Sequence, residues 1–352
     1  MKVIEIDGRP IGPGHPCFII AEAGVNHNGQ VELAERLVDI AADARADAVK
    51  FQTFKADHVV SASAPKAEYQ LQMTDAAESQ LDMLRRLELS REAHQELLAH
   101  CQNRGVLFLS TPFDEASVEL LDELGVPAFK IGSGEITNWP LLEYVARKGK
   151  PVILSTGMCY LSEVDEAVRV MRSVGGSQLV LLHCVSNYPA DPAEMNLRAI
   201  PAMAQAFQLP VGLSDHTLGI EISVAAVALG ACVIEKHLTI DREQAGPDHR
   251  ASLEGGEFSA MVQAIRKVET ALGDGLKVPA TSEREVAVLA RRYLVAAEDI
   301  PAGSVLTSRQ IAIRRTGSGL PPALLPYVLG RVLGQDVAAG TALRLDMFSL
   351  SE

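Results

Sequence analysis

One rhythm constrains the fold of this chain more than any other feature: through the first 240 residues, eight short apolar runs alternate with longer amphipathic segments. The runs predict strands over Phe18–Glu22, Ala48–Gln52, Val106–Ser110, Ala128–Gly132, Val152–Thr156, Leu179–Cys184, Val211–Ser214 and Cys232–His237. Between and after them, apolar residues recur at helical spacing near Val31–Ala44, Arg91–Asn103, Glu115–Leu124, Pro140–Arg147, Leu161–Ser173, Leu197–Phe207, Gly219–Leu229 and Glu257–Leu272. Eight βα units in about 270 residues have the size and repeat of a (β/α)8 TIM barrel. An open doubly wound sheet is the alternative architecture, and the evenness of the repeats favours closure. A closed barrel gathers all its C-terminal strand ends on one rim, where such folds keep their active sites.

The strand ends carry reactive residues: AEAGVNHNG at 21–29, KFQ at 50–52, STP at 110–112, KIGSGE at 130–135, STG at 155–157, HC at 183–184, SDH at 214–216 and EKH at 235–237. A long polar insertion over Thr53–Ser79, containing Tyr69 and several glutamines, interrupts the rhythm. Loops of that length tend to be functional, so a lid or a dimer contact is one reading and a mobile surface excursion the other. The barrel is expected to span 1–275, followed by a Gly/Pro/charged linker over 276–290 and a small β-rich module over 291–352. That module contains an internal repeat, DIPAGSVL from Asp299 and DVAAGTAL from Asp336, 37 residues apart. Two copies suggest a pseudo-symmetric unit, since a solenoid needs at least three.

A formal net charge of −13 argues against nucleic acid or an anionic membrane as partner, because either would favour a basic surface. The longest apolar run, Ile222–Ile234, is too short to cross a bilayer. Met1–Pro10 holds Glu5 and Asp7 and lacks the basic-then-apolar pattern of a signal peptide. Cys17, Cys101, Cys159, Cys184 and Cys232 form no CxxC and are odd in number, which suggests reduced thiols in a cytoplasmic protein. An acidic protein that binds an anion must concentrate cations in its pocket, and Lys50, Lys130, Lys236 and Arg315 are the candidates.

His216 and His237 close adjacent strands about one βα repeat apart, which sets two imidazoles side by side on the rim. Imidazole suits a divalent transition ion, and two protein ligands leave positions for water and substrate. Glu22, at the first strand end, is placed to orient a metal-bound water or act as a general base, while His27 reads as structural. Lys50 and Lys130 end the second and fourth strands, and an inward ammonium there calls for an anion. Gly132-Ser133-Gly134 and the Ser155 and Thr111 loops add small hydroxyl and backbone donors suited to phosphate or carboxylate. A Schiff-base role for one of these lysines is the competing chemistry, and a non-catalytic carbohydrate-binding protein is a further reading from another class.

Taken together, AEAGVNHNG, KFQTF, STPFD, KIGSGE, STGM, HCVSNYP, GLSDHT, EKH, GPDHRASLE and the later RRTGSG give a chain that resembles the sialic acid synthase family. These are the nonulosonic acid synthases, which condense phosphoenolpyruvate with an N-acetylated hexosamine. The resemblance implies a TIM barrel followed by an antifreeze-like SAF domain, with His216 and His237 holding a divalent metal, most often Mn2+, and Glu22 beside it. It implies that Lys50, Lys130, Thr111, Ser133, Ser155 and Ser214 hold phosphoenolpyruvate, and that Gln52, Tyr188 and Asp248 contact the amino sugar. Ser186 stands where some members carry asparagine. Arg315, or its neighbour Arg314, resembles the SAF arginine that reaches the N-acetyl group from a partner subunit, which implies a domain-swapped homodimer. The implied reaction joins phosphoenolpyruvate, open-chain N-acetylmannosamine and water into N-acetylneuraminate and phosphate. The alternative acceptor is 2,4-diacetamido-2,4,6-trideoxymannose, giving N,N'-diacetyllegionaminate; GPDHRASLE resembles these two branches more than the pseudaminate branch.

Overall fold

The computed structural model describes residues 2–67, 70, 71, 74, 75 and 77–349, so Tyr69 lies outside the described residues. The chain divides into two compact units, Met1–Gly273 and Asp274–Glu352. The first opens with a hairpin of β1 (Ile4–Ile6) and β2 (Arg9–Ile11), joined by Asp7 and Gly8. Both turn residues take positive φ, 48° and 74°, the conformation of the two-residue turn that matches the twist of paired strands. Eight parallel strands follow: β3 (Phe18–Gly24), β4 (Ala48–Thr53), β5 (Leu107–Pro112), β6 (Phe129–Ile131), β7 (Val152–Ser155), β8 (Leu179–Cys184), β9 (Val211–Asp215) and β10 (Val233–Thr239). Hydrogen bonding orders them β5-β4-β3-β10-β9-β8-β7-β6, and the two ends of that path lie against each other, so the sheet nearly closes on itself. This is the expected (β/α)8 architecture, with helices after the strands.

Side chains alternate across each strand, and the alternation sorts the barrel into two layers. Phe18, Ile20, Ala48, Leu109, Ala128, Ile153, Val180, Leu182 and Val233 pack inside, where Ile4, Ile6 and Ile11 of the hairpin join them. The opposite parity, including Ile19, Val49, Phe51, Phe108, Phe129, Leu154, Leu181, Leu213 and Ile234, packs outward against the helices. Inward parity runs on toward the C-terminal ends and reaches Glu22, Lys50, Thr111, Lys130, Ser155, Cys184, Ser214, Glu235 and His237. The apolar hairpin therefore fills the opposite end of the barrel from the polar rim. Its alternating IEI and RPI segments around Asp7-Gly8 were the sequence signal for it, and the rhythm-based reading does not include it.

His27, on the loop after β3, is fully buried, and its Nδ1 accepts the Gly29 N–H at 3.0 Å. Burial, aided by His94, pushes its imidazole down to about 4 from an ordinary 6.5. A depressed folded-state value means that this stabilisation is complete above pH 6.5 and is lost as pH falls toward 4. The loss amounts to roughly 3 kcal/mol at about 1.4 kcal/mol for each unit. Thermal unfolding of the wild type should therefore show a steeper fall in Tm between pH 6.5 and 4 than His27→Gln does. Parallel curves for the two proteins would show that His27 titrates no differently when folded.

In the second unit, Tyr293–Ala296 pairs antiparallel with Ile311–Arg314, and isolated bridges join Ile300 to Val337 and Val305 to Val332. The two repeat copies cap each other: Asp336 Oδ1 accepts the Ala302 N–H and Asp299 Oδ1 accepts the Ala339 N–H, both at 2.7 Å. The aspartate of each copy thus anchors the other's turn, which explains why the motif occurs as a pair. Within the segment expected as linker, Glu283–Ala290 forms a helix with no buried residue.

Candidate active site

A cavity of about 380 Å³ opens at the C-terminal rim of the barrel. Glu22, Lys50, Gln52, Thr111, Lys130, Ser133, Ser155, Ser186, Tyr188, Ser214, His216, His237 and Asp248 all line it. Arg315 belongs to the second unit, directly after the Ile311–Arg314 strand. The strand parity accounts for this convergence, because residues two apart at a strand end face the same side and eight strand ends share one rim.

Parity also corrects one expectation and adds one residue. Along β10, Glu235 and His237 face the cavity, so Lys236 between them faces away. Its ammonium is buried in the outer layer, 2.9 Å from Asp215 Oδ2 and donating to the Thr217 carbonyl. Lys236 is therefore a structural cation balanced by a buried carboxylate, not a pocket cation. Glu235, which the motif-based reading passes over, lies at the centre of the floor. Its Oε1 accepts the Ser214 hydroxyl at 2.9 Å and lies 3.7 Å from Lys130, while its Oε2 lies 3.9 Å from Lys50. Once His237 is assigned inward, the period of two assigns Glu235 inward as well.

Lys50 lies 2.8 Å from Glu22 and donates to Thr111 Oγ1 at 3.0 Å; Lys130 donates to Ser155 Oγ at 2.8 Å. Burial opposes the charge on Lys50, but Glu22 and Glu235 outweigh it and hold its ammonium above the usual range. For Lys130 burial wins over the attraction of Glu235, and its ammonium is held below the usual range. Burial raises the Glu22 carboxyl to about 7, with Lys50 pulling against the rise and Glu235 adding to it. Two carboxylates and two ammonium groups thus share a buried floor, on which the Glu22 carboxyl is lifted toward neutrality. Close approach decides two glycines here. Gly24 has φ of 52°, and a Cβ on it would meet Glu22 Oε1 at 3.1 Å; one on Gly157 would meet Ser186 Oγ at 2.4 Å.

The His216 and His237 rings lie 5.4 Å apart between centroids, and Tyr188 packs on His216 at 4.1 Å. His216 Nδ1 donates to the Val185 carbonyl at 2.7 Å, which orients the ring so that its Nε2, 3.3 Å from Ser214 Oγ, faces the cavity. Burial opposes the charge on this imidazole, but Cys184 and Glu235 outweigh it and hold the pKa above the usual value. Burial, helped by His216 and Lys50, holds His237 well below its usual value, so its ring is neutral. His237 Nδ1 is buried without a hydrogen-bond partner and lies 4.0 Å from Asp248 Oδ2. Burial lifts the Asp248 carboxyl to about 6. A neutral imidazole with an orphaned nitrogen and a second imidazole oriented by a carbonyl fit a divalent cation, though His, Cys, Asp and Glu form no ready-made group of three ligands among the described residues.

A second wall of the cavity comes from outside the motifs. Ser79 caps the helix Gln80–Leu87 by accepting the Asp82 N–H at 3.0 Å, and Met83, Leu84 and Leu87 share one helix face. They pack with Val25, Phe54 and Phe113 in a satellite apolar cluster that reaches the cavity. Among the described residues of the Thr53–Ser79 insertion, Gln70 lines the cavity.

All five cysteines are unpaired thiols, and no helix of the described residues is long and apolar enough to cross a membrane. A model of the NeuB family matches residues 37–277 and a model of the SAF domain matches residues 291–349. The chain is 49% identical over 317 residues to the N,N'-diacetyllegionaminic acid synthase of Campylobacter jejuni, covering 90% of this chain and 95% of that protein. It is 47% identical over 344 residues to the protein of the same name from Legionella pneumophila, covering 96% and 97%. Among solved structures, the N-acetylneuraminic acid (sialic acid) synthetase of Leptospira borgpetersenii in complex with citrate superposes with a TM-score of 0.72 at 38% identity, covering 81% of this chain and 95% of that one. Matched by the barrel model over most of its first unit, by the SAF model over its second, and by relatives along nearly its whole length, this chain belongs to the NeuB family of sialic and legionaminic acid synthases, which are enzymes.

Proposed function

We propose that the enzyme is an N,N'-diacetyllegionaminate synthase, joining phosphoenolpyruvate, open-chain 2,4-diacetamido-2,4,6-trideoxymannose and water into N,N'-diacetyllegionaminate and inorganic phosphate. The observation that carries this choice is the pair of relatives of that name at 49% and 47% identity, against 38% for the structure named as a sialic acid synthetase. The N-acetylneuraminate reading, with N-acetylmannosamine as acceptor, stands second for the same reason.

Lys50 and Lys130, with the hydroxyls of Thr111, Ser133, Ser155 and Ser214, bind the phosphate and carboxylate of phosphoenolpyruvate and hold its C3 toward the sugar aldehyde. A divalent ion held by His216 and His237, Mn2+ in this proposal, would supply Lewis-acid polarisation of the aldehyde oxygen. Gln52, Ser186, Tyr188 and Asp248 orient the sugar, and Arg315 reaches it from the partner subunit of a domain-swapped homodimer. C3 bonds to the aldehyde carbon as its C=O π bond opens, and that oxygen ends as a hydroxyl carrying the proton that Glu22 takes from water. Water adds at C2, and C2 closes to the ketone as the C2–O bond to phosphate breaks, so that phosphate leaves with the bonding electron pair and the second proton of the water. Glu22 takes the proton of the adding water at its carboxylate, which burial and Glu235 have made basic enough for the task. Glu235 keeps the two ammonium groups apart and in place. Preorganised charge and orientation supply the acceleration.

Phosphate release with phosphoenolpyruvate and each amino sugar in turn checks the assignment. The 2,4-diacetamido sugar is expected to give a kcat/KM at least tenfold above that of N-acetylmannosamine. The reverse order would return the enzyme to the N-acetylneuraminate branch.

A further inference from the structure

The cavity has two chemically different sides. One is the ionic floor of lysines, carboxylates and histidines. The other is the apolar wall of Val25, Met83, Leu84, Leu87 and Phe113. Val25, Met83 and Leu87 are buried in their own cluster, whereas Leu84 and Phe113 remain half-buried and show surface to the cavity. Phosphoenolpyruvate, small and polyanionic, has no use for such a wall, and the floor already answers its charges. The remaining occupant is the amino sugar, whose aldehyde carbon must lie by the floor and whose far end is C6. Against Met, Leu and Phe side chains a C6 hydroxyl would lose its bonds to water and gain no protein partner, while a C6 methyl would only gain burial.

We propose that this wall is the subsite for the C6 end of the acceptor and that Leu84 is a specificity-determining residue selecting 6-deoxy over 6-hydroxy amino sugars. The proposal rests on the synthase reading above but not on which acetamido pattern the sugar carries. A hydrophobic pocket separates substrates differing by one small group by about tenfold to two-hundredfold, and rejection of an added hydroxyl falls within that range.

The test measures kcat/KM by phosphate release for two pairs of sugars: N-acetylmannosamine with its 6-deoxy analogue, and 2,4-diacetamido-2,4-dideoxymannose with its 6-deoxy analogue. The wild type is expected to prefer the 6-deoxy member of each pair it uses by about tenfold or more. Leu84→Asn should remove most of that preference while leaving the KM for phosphoenolpyruvate and the Tm near wild type, and Leu84→Met should keep it. A wild type indifferent to the 6-substituent, or a Leu84→Asn enzyme with its preference intact, overturns the subsite. Turnover of the mono-acetamido pair alone would instead overturn the legionaminate assignment, and the 6-deoxy preference would still be read within that pair. No phosphate release with any of the sugars would remove the synthase reading and the subsite with it.

Discussion

Excess chelator is expected to take turnover below detection, and added Mn2+ to restore it. The two rim imidazoles are the described groups whose chemistry suits a divalent ion, and such an ion would polarise the aldehyde. His237 is held neutral by burial and its Nδ1 has no hydrogen-bond partner, while His216 is oriented by the Val185 carbonyl. A Lewis-acid contribution of several kcal/mol corresponds to a loss of about a thousandfold or more. Mn2+ binding measured without substrate should disappear in His216→Ala and His237→Ala, which separates lost affinity from lost chemistry. Full activity in excess chelator would exclude a required metal.

Lys130→Ala should lower kcat/KM for phosphoenolpyruvate by about a hundredfold or more, with a small change in Tm. Removing one partner of a desolvated charge contact costs roughly 2–5 kcal/mol in binding. The folded protein has little to lose by the substitution, because burial already disfavours the Lys130 charge and Glu235 keeps Ser214 and Lys50 as partners. Lys50→Ala makes the contrast: it strands Glu22, whose close cationic partner it is, so folding should suffer together with activity. Kinetics for Lys130→Ala indistinguishable from wild type would remove Lys130 from the anion site, and a collapse in Tm would show its role to be structural.

Much of this site was legible because its chemistry is written at the ends of short apolar runs. Lys50, Thr111, Lys130, Ser155, Ser214, His216 and His237 each close or follow a run, and a barrel has only one place to bring run ends together. Glu235 is hidden in EKH unless the motif is given its strand phase, and without that phase Lys236 reads as a pocket cation. The period of two carried the answer. The wall of Met83, Leu84 and Leu87 is different, since an amphipathic turn after a polar insertion has no sequence mark showing which surface its apolar face covers. The Ile4–Ile11 hairpin is a similar case: its strands and turn are local, but its target, the barrel interior, is assembled from residues up to Val233.

The sequence by itself determined the eight βα units, the closing SAF module and the cast of ionisable groups, because hydrophobic period and residue chemistry are local properties. Only the tertiary structure decided which of those groups meet. Inward or outward phase, the ion pairs among Glu22, Lys50, Lys130 and Glu235, and the apolar side of the cavity all arise when distant strand ends are forced onto one ring, where burial makes each charge depend on its neighbours.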